Sequence, residues 1–585
     1  MRNSAVIDPE GLHKRAADEC RLGNWNAALQ WVRKAVALRP EEPRFAQSEA
    51  IALWCAGKRR GAIAALDRGL QFEPENAGLI EYRARFLTDI GDRTNALDAL
   101  RSAIRICGEV YPLTRRLAET LSHAGELVES EYYWRKTVGF RPRDLESLSA
   151  LAGVVCRQGR LTEGMDIYRE ATRLRGGKAV VPALLLTLHY TSATDPRSIA
   201  AAHSAWARWQ EKRTPRAPAL ARMPRRRLRV GYVSGDFRQH SVAHFFEPLL
   251  EAHQGGSIEP HCFYTHAGSD RVTARIRKLA SGWHDISRLD DAGSLELVRQ
   301  ARIDILVDLS GHTAFNRLPL FACRPAPLQG TYLGYPDTTG LSTIDFRFTD
   351  ATADPPGMAE PFHSERLIRI DPCFLCYRPW HARAPLSPPP FERNGYLTLG
   401  CFAIRQKLSP ETLDAWAEIL RQSSGTRLAL KFRAASEASV RAALEDFFQQ
   451  RGVAKSRIDF APATARLREH LEYYSEVDLM LDPFPYNGTT ATCEALWMGL
   501  PVLTWSGNAH VSRVGATLLN QVSLQQFIAN SRDNYIARAL DAIRSPQELA
   551  RYRRRLRATM LRSPLTDSAR LARSVESAYW KLWRE

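Results

Sequence analysis

The chain has 585 residues, 44% hydrophobic and 25% charged, a globular composition with room for three or four domains. No run of 18 apolar residues occurs and the opening MRNSAVIDPE has no apolar leader core, so neither a membrane partner nor secretion is expected. The formal net charge is +17, mostly arginine, but no basic module interleaved with aromatics accompanies it, so no nucleic-acid partner is expected.

The first third is built on a repeat. Gly23, Gly57, Gly91, Gly125 and Gly159 are each 34 residues apart. Five residues after each comes a small residue (Ala28, Ala62, Ala96, Ser130, Gly164). Seven further on comes another set (Ala35, Gly69, Ala103, Thr137, Ala171). Pro40, Pro74, Gly108, Pro142 and Gly176 close the units. Small residues let two helices approach closely, and proline cannot continue the second one. This is the tetratricopeptide signature, and it predicts an α-helical solenoid arm over 1–178. Such an arm presents a concave groove to proteins or peptides, and it can also self-associate into a homo-oligomer. Residues 179–226 read as a helical cap and linker. The run RMPRRRLR (222–229) follows the proline-containing TPRAPALARMP and leads into a strand.

From residue 227 short β-rich runs alternate with helical segments. LRVGYVSG, HCFYTH, DILVDLSG and LQGTYLGYP form a first group; LTLGCF, RLALKF, RIDFAP, DLMLDPFP and PVLTW form a second. Apolar runs that end in Gly, Asp or Pro are the mark of buried parallel strands. Between the groups lies the proline-rich ARAPLSPPPFERNG. Two Rossmann-like α/β lobes are therefore predicted, 227–385 and 386–545, with a cleft between them. A last helix, 546–585, should pack back on the core. The ten cysteines are too scattered for a disulfide framework and suit a reducing, cytoplasmic setting. The lone CxxC of Cys373 and Cys376 has no second pair, so both read as buried apolar residues rather than a zinc site.

DPFPYNGTTATCEALWMGLPVLTWSG (482–507) carries the most chemistry. It reads strand, turn, helix, turn, strand. Asn487, Gly488, Thr489 and Thr490 fall where a helix starts, and free N–H groups with the helix dipole make that end an anion site. Glu494 lies four residues beyond Thr490, on the same face, where a carboxylate can accept from the two hydroxyls of a ribose.

These motifs resemble the O-GlcNAc transferase and SPINDLY family of protein O-glycosyltransferases. The resemblance runs through GYVSGDFRQHSVAHF (231–245), IDILVDLSGHT (303–313), ACRPAPLQGTYLGYPDTTG (322–340), DPCFLCY (371–377), KLSP (407–410) and DPFPYNGTTATCEALWMG (482–499). GHT, YPDTTGL, CFLCY and GTTATCE are more similar to the SPINDLY branch, known for moving fucose from GDP-fucose. The resemblance implies a glycosyltransferase of the two-lobed B type, inverting, needing no metal and no cofactor beyond a UDP- or GDP-sugar. The first lobe would face the acceptor and the second would bind the donor. By the same resemblance Lys407 neutralises the diphosphate leaving group, and His240 is the general base or a positioning residue. His470 lies near the nucleotide base, and Glu494 holds the ribose. Gly488, Thr489 and Thr490 form the phosphate loop. His312, Tyr335, Pro336 and Thr338 line the sugar and acceptor side. One departure stands out. The family often carries Phe-Asn-Asn or Phe-Asn-Gln before the lysine, whereas here Ala403 and Ile404 replace the amides. Two alternatives therefore stand beside transfer to Ser or Thr: a catalytically weak, nucleotide-sugar-sensing scaffold, and a transferase of the same fold with another acceptor.

Overall fold

The computed structural model describes residues 8–585 apart from 219, 224, 382, 383, 463 and 465. The start MRNSAVI, with no apolar leader run, lies outside the described residues, as do single positions in the linker, the proline-rich hinge and the stretch before His470. The chain forms two compact units, 1–158 and 159–585.

The first unit is helical. Its pairs are α1 (Pro9–Arg21) with α2 (Trp25–Leu38), α3 (Pro43–Cys55) with α4 (Arg59–Phe72), α5 (Ala77–Asp89) with α6 (Arg93–Cys107), and α7 (Tyr111–Ala124) with α8 (Leu127–Phe140). A ninth helix, α9 (Leu145–Arg157), follows, and α10 (Leu161–Arg173) continues the 34-residue register into the second unit. The five periodic glycines all have positive φ, from 77° to 94°, because each turns the chain between the two helices of a pair. The small residues do the packing expected of them. Ala28, Ala62, Ala96 and Ser130 are fully buried. A Cβ on Gly69 would come within 2.8 Å of Leu79 and 2.9 Å of Ala46, so only glycine fits there.

The second unit holds two parallel sheets. In the first, β1 (Leu228–Ser234), β2 (Ile258–Tyr264), β3 (Gly282–Asp285), β4 (Ile305–Asp308), β5 (Leu328–Thr331), β6 (Phe346–Thr349) and β7 (Arg366–Arg369) lie in the order β3-β2-β1-β4-β5-β6-β7. In the second, β8 (Thr398–Cys401), β9 (Arg427–Lys431), β10 (Ile458–Ala461), β11 (Leu479–Leu481), β12 (Val502–Trp505) and β13 (Ile528–Ala529) lie in the order β10-β9-β8-β11-β12-β13. Both orders reverse direction beside their first strand, and such a reversal opens a ligand crevice at the carboxyl ends of the strands.

The segment expected to cap the arm does more than that. From α10, α11 (Val181–Leu188) and α12 (Pro196–Arg213), the side chains of Met165, Leu185, Leu188, Ile199 and Trp206 share one apolar core with Val233, Phe263 and Leu306 of the first sheet. The C-terminal region is two helices rather than one, Pro546–Leu561 and Ser568–Arg584. The first packs on the second lobe, where Arg553 donates to the carbonyls of Val477 and Tyr474. The last returns to the first lobe, where Glu576 accepts from His253 at 2.8 Å and Tyr579 meets Tyr232. Cys373 and Cys376 are buried free thiols, and burial pushes both pKa values up. Among the described residues no helix is long and apolar enough to cross a membrane.

Candidate active site

Strand β8 runs into a three-residue turn, Arg405–Lys407, and Ser409 then caps the helix Pro410–Gln422. That cap also ties the turn to the DPFP loop. Ser409 Oγ and Thr412 Oγ1 both donate to the Phe484 carbonyl, at 2.6 and 2.7 Å. Lys407 is held between two neighbours in the same loop. Its Nζ donates to the Asn487 carbonyl at 2.8 Å and lies 3.9 Å from the centre of the Tyr486 ring. Desolvation lowers the lysine pKa, with Asp482 opposing it, while burial raises Asp482. Asp482 is otherwise occupied by the Gly488 amide (2.6 Å) and the Thr504 hydroxyl (2.7 Å). The cation is therefore not matched by an exposed carboxylate and stays available to an anion.

Beside it begins the helix Thr490–Trp497, with Thr489 at its cap position and no side chain capping it. Its first-turn N–H groups and the Lys407 ammonium flank the Tyr486–Thr490 loop, an arrangement suited to a diphosphate. One turn in, Glu494 is buried and accepts on Oε2 from Tyr474 (3.0 Å) and from His470 Nε2 (3.1 Å). His470 Nδ1 in turn accepts from Lys431 Nζ at 2.8 Å, which fixes the ring as the neutral Nε2–H tautomer. Lys431 also reaches Thr464 at 3.0 Å, and burial pulls its pKa down to about 8 against the pull of Glu494. The motif reading missed Lys431, treating RLALKF as a strand only. Its signal was positional: a lysine closing a parallel strand sits at the carboxyl edge where α/β folds bind ligands.

On the first lobe His240 precedes α13 (Ala243–Ala252), with Nδ1 3.4 Å from Asp236 and 3.3 Å from the Val242 amide. Burial lowers its pKa and Asp236 counters, so the ring favours the neutral, proton-accepting form. One turn on, His244 stacks on Trp380 with ring centres 3.6 Å apart and feels the charges of both Glu494 and His240. This places the start of α13 and the Glu494 helix around the same cleft.

His312, Tyr335 and Thr338 lie deeper. His312 is 1% exposed and donates from Nε2 to the Thr339 carbonyl. Thr338 donates to Glu365 at 2.6 Å. Tyr335 donates to His203 Nε2 at 2.7 Å, because His203 Nδ1 already faces the Ile199 carbonyl; His189 Nε2 stands 3.2 Å from the same hydroxyl. Their polar atoms shape the wall from behind. Pro336 reaches a cavity of about 210 Å³ that is also lined by Asp337, His363, Phe484 and His510. His189, His203 and Asp337 come close enough together to suit a metal ion. The Tyr335 hydroxyl, however, occupies the space between the two ring nitrogens, and the lone pair of His203 is already used, so the group fits a hydrogen-bonded core better than a cation. Burial disfavours the Asp337 charge, but the three histidines around it hold its carboxyl below the usual range.

The lobes are joined by a polar seam near this cavity. Asp354 accepts from His510 at 2.7 Å, Asp350 from Thr517 at 3.0 Å, and the Thr352 carbonyl from Arg513 at 2.7 Å.

Two Rossmann-like sheets around a cleft, a helix start and a partly buried lysine on one side, and helical repeats ahead of them make up the architecture of the two-lobed glycosyltransferase class. The profile of glycosyl transferase family 41 matches residues 199–378 and 397–575, and the chain belongs to that family. It is 38% identical, over 68% of its length and 44% of the relative's, to a probable UDP-N-acetylglucosamine–peptide N-acetylglucosaminyltransferase SPINDLY of Solanum lycopersicum. It is 30% identical, over 61% of its length and 37% of the relative's, to the SEC counterpart of Arabidopsis thaliana. The chain thus spans less than half the length of these plant relatives. A solved mutant O-GlcNAc transferase of Thermobaculum terrenum superposes with a TM-score of 0.81 at 32% identity, over 87% of this chain and 97% of that one.

Proposed function

We propose that this chain moves one sugar from a nucleotide sugar to a Ser or Thr hydroxyl of a protein brought in by the repeat arm. The observation that carries this reading is Lys407, seated over Tyr486 at the start of an uncapped helix. A fixed cation beside free backbone N–H groups can take up the charge that develops on a departing diphosphate, the task a divalent metal has in other transferases. Glu494 has the place and burial to hold a ribose, with His470 and Lys431 behind it. Gly488, Thr489 and Thr490 would meet the phosphates. His240, kept neutral by burial, would accept the acceptor hydroxyl's proton or orient that hydroxyl. Inversion at the anomeric carbon and activity without metal follow from this scheme. Retained turnover in EDTA and a product of inverted configuration by NMR are the expected results.

The donor is UDP-GlcNAc or GDP-fucose. A thermal-shift panel of UDP, GDP and their sugars decides, since a ligand that binds only the folded chain raises its melting temperature. No shift with any of them would sink the nucleotide reading. Affinity should also depend on pH. Lys431 and Lys407 both lose their protons as pH rises through about 8, so their attraction for an anionic ligand is present at pH 7 and largely lost by pH 9. Calorimetric titration of the preferred nucleoside diphosphate should show weaker binding at pH 9 than at pH 7; equal affinities would mean that neither lysine meets the anion.

One observation favours a second reading, binding without turnover. Ile404 replaces a family amide and is 48% exposed, so this edge of the cleft has lost polar contacts to donor or acceptor. Nucleotide affinity combined with no modified protein in intact-mass spectra of a treated lysate would support it.

A further inference from the structure

Arg405 stands two residues before Lys407, and the fold gives it no place in the cleft. Its guanidinium lies flat against Gly159, the turn that opens α10. A Cβ on that glycine would fall 2.4 Å from Arg405 Cζ and within 2.7 Å of both terminal nitrogens. The matching glycines of earlier repeats, Gly23, Gly57 and Gly91, have nothing within 4 Å of the same position. Arg405 Nη1 donates to the Leu408 carbonyl at 2.9 Å, closing the short turn that carries Lys407. Nε is sealed from solvent with no partner, and no carboxylate pairs with the group among the described residues. An unpaired buried guanidinium opposes stability, so its presence calls for another use.

A second contact from the same helical segment reaches the other support of Lys407. Tyr190, just after α11, stacks on Tyr486 with ring centres 5.0 Å apart and an interplanar angle of 23°. Ser192 donates to Glu411 in the first turn of the helix that follows Lys407. The α10–α12 segment therefore touches both the turn that bears the lysine and the ring beneath it.

We infer that Arg405 is a positioning residue, which clamps the Lys407 turn onto the start of α10 so that the last repeat helix sets where the diphosphate-binding cation stands. The inference rests on the reading of Lys407 given above. It also explains the arginine in the run Phe402–Lys407: it does not replace the missing amides in the cleft but anchors the turn from behind.

The test uses the full chain and four probes, UDP, GDP, UMP and GMP, because Lys407 distinguishes diphosphate from monophosphate. The readout is the ratio of monophosphate to diphosphate Kd by calorimetry, with the melting temperature alongside. Arg405→Met fills the same space without charge, so the melting temperature should hold or rise, while the ratio falls at least about fivefold. A residue with a merely structural role would move both downward together. In a Lys407→Ala background, Arg405→Met should change the ratio no further, because the clamp then has nothing to position. Arg405→Lys, which keeps the charge but not the flat fork, should show the same fall and serves if the Met variant misfolds. An unchanged ratio in Arg405→Met, or an equal further fall on top of Lys407→Ala, overturns the proposal. A wild-type ratio that survives Lys407→Ala instead overturns the role of Lys407, and a wild-type chain that binds none of the four probes overturns the nucleotide reading with it.

Discussion

Lys407→Ala is expected to lower sugar transfer at least about a hundredfold, the scale seen when one preorganised charge is taken from a transition state. The loss should fall on kcat more than on the donor's KM. The cation meets more charge when the diphosphate departs than when the intact donor is bound, so removing it costs more at that moment. The chain should stay folded, because Lys407 contributes one carbonyl hydrogen bond and one ring contact to its surroundings. Steady-state transfer to a peptide, with the melting temperature as control, checks the claim. Full activity in a folded variant would refute the role given to Lys407.

His510→Leu is expected to destabilise the catalytic unit by about 3–5 kcal/mol, the cost of stranding a buried charge. Asp354 is 1% exposed, and although burial works against its charge, His510 first and then nearby cationic groups hold its carboxyl well below the usual range. A carboxyl depressed in this way stabilises the fold above its unfolded pKa near 4 and loses that contribution as pH falls below it. Asp354→Asn should cost much less, about 1–2 kcal/mol, because its amide oxygen can still accept from His510. Thermal unfolding of the two variants at pH 7 gives the order. Equal or reversed losses would mean that the pair is not an uncompensated charge waiting on one partner.

The repeat arm was legible without any homologue, because each 34-residue unit must place a glycine where φ is positive and a small residue where helices touch; Gly23 to Gly159 and Ala28 to Ser130 meet both demands. The nine strands read from apolar runs are all present. Four others were not read. Gly282–Asp285 carries too few apolar residues, Phe346–Thr349 and Arg366–Arg369 interleave arginine with apolar residues, and Ile528–Ala529 is two residues long. Each is made a strand by the neighbour it pairs with rather than by its own composition. The strand, turn and helix start around DPFPYNGTT were visible because such features are local. Lys431 behind His470, Tyr335 beneath His189 and His203, and Arg405 against Gly159 join residues 39, 146, 132 and 246 positions apart. No spacing rule reports such pairs. The helical segment 179–226 read as a cap and linker because it has no clear 34-residue register, and nothing in its spacing names the sheet it packs on.

The main chain passes between the lobes twice, once between residues 377 and 397 and once at 562–567 before the last helix. The two passages touch, with the Tyr377 amide donating to the Leu565 carbonyl at 2.6 Å. The second passage, held to the first, adds to the polar seam of His510 with Asp354, Thr517 with Asp350 and Arg513 with Thr352, so the two walls of the cleft are tied to each other at more than one place.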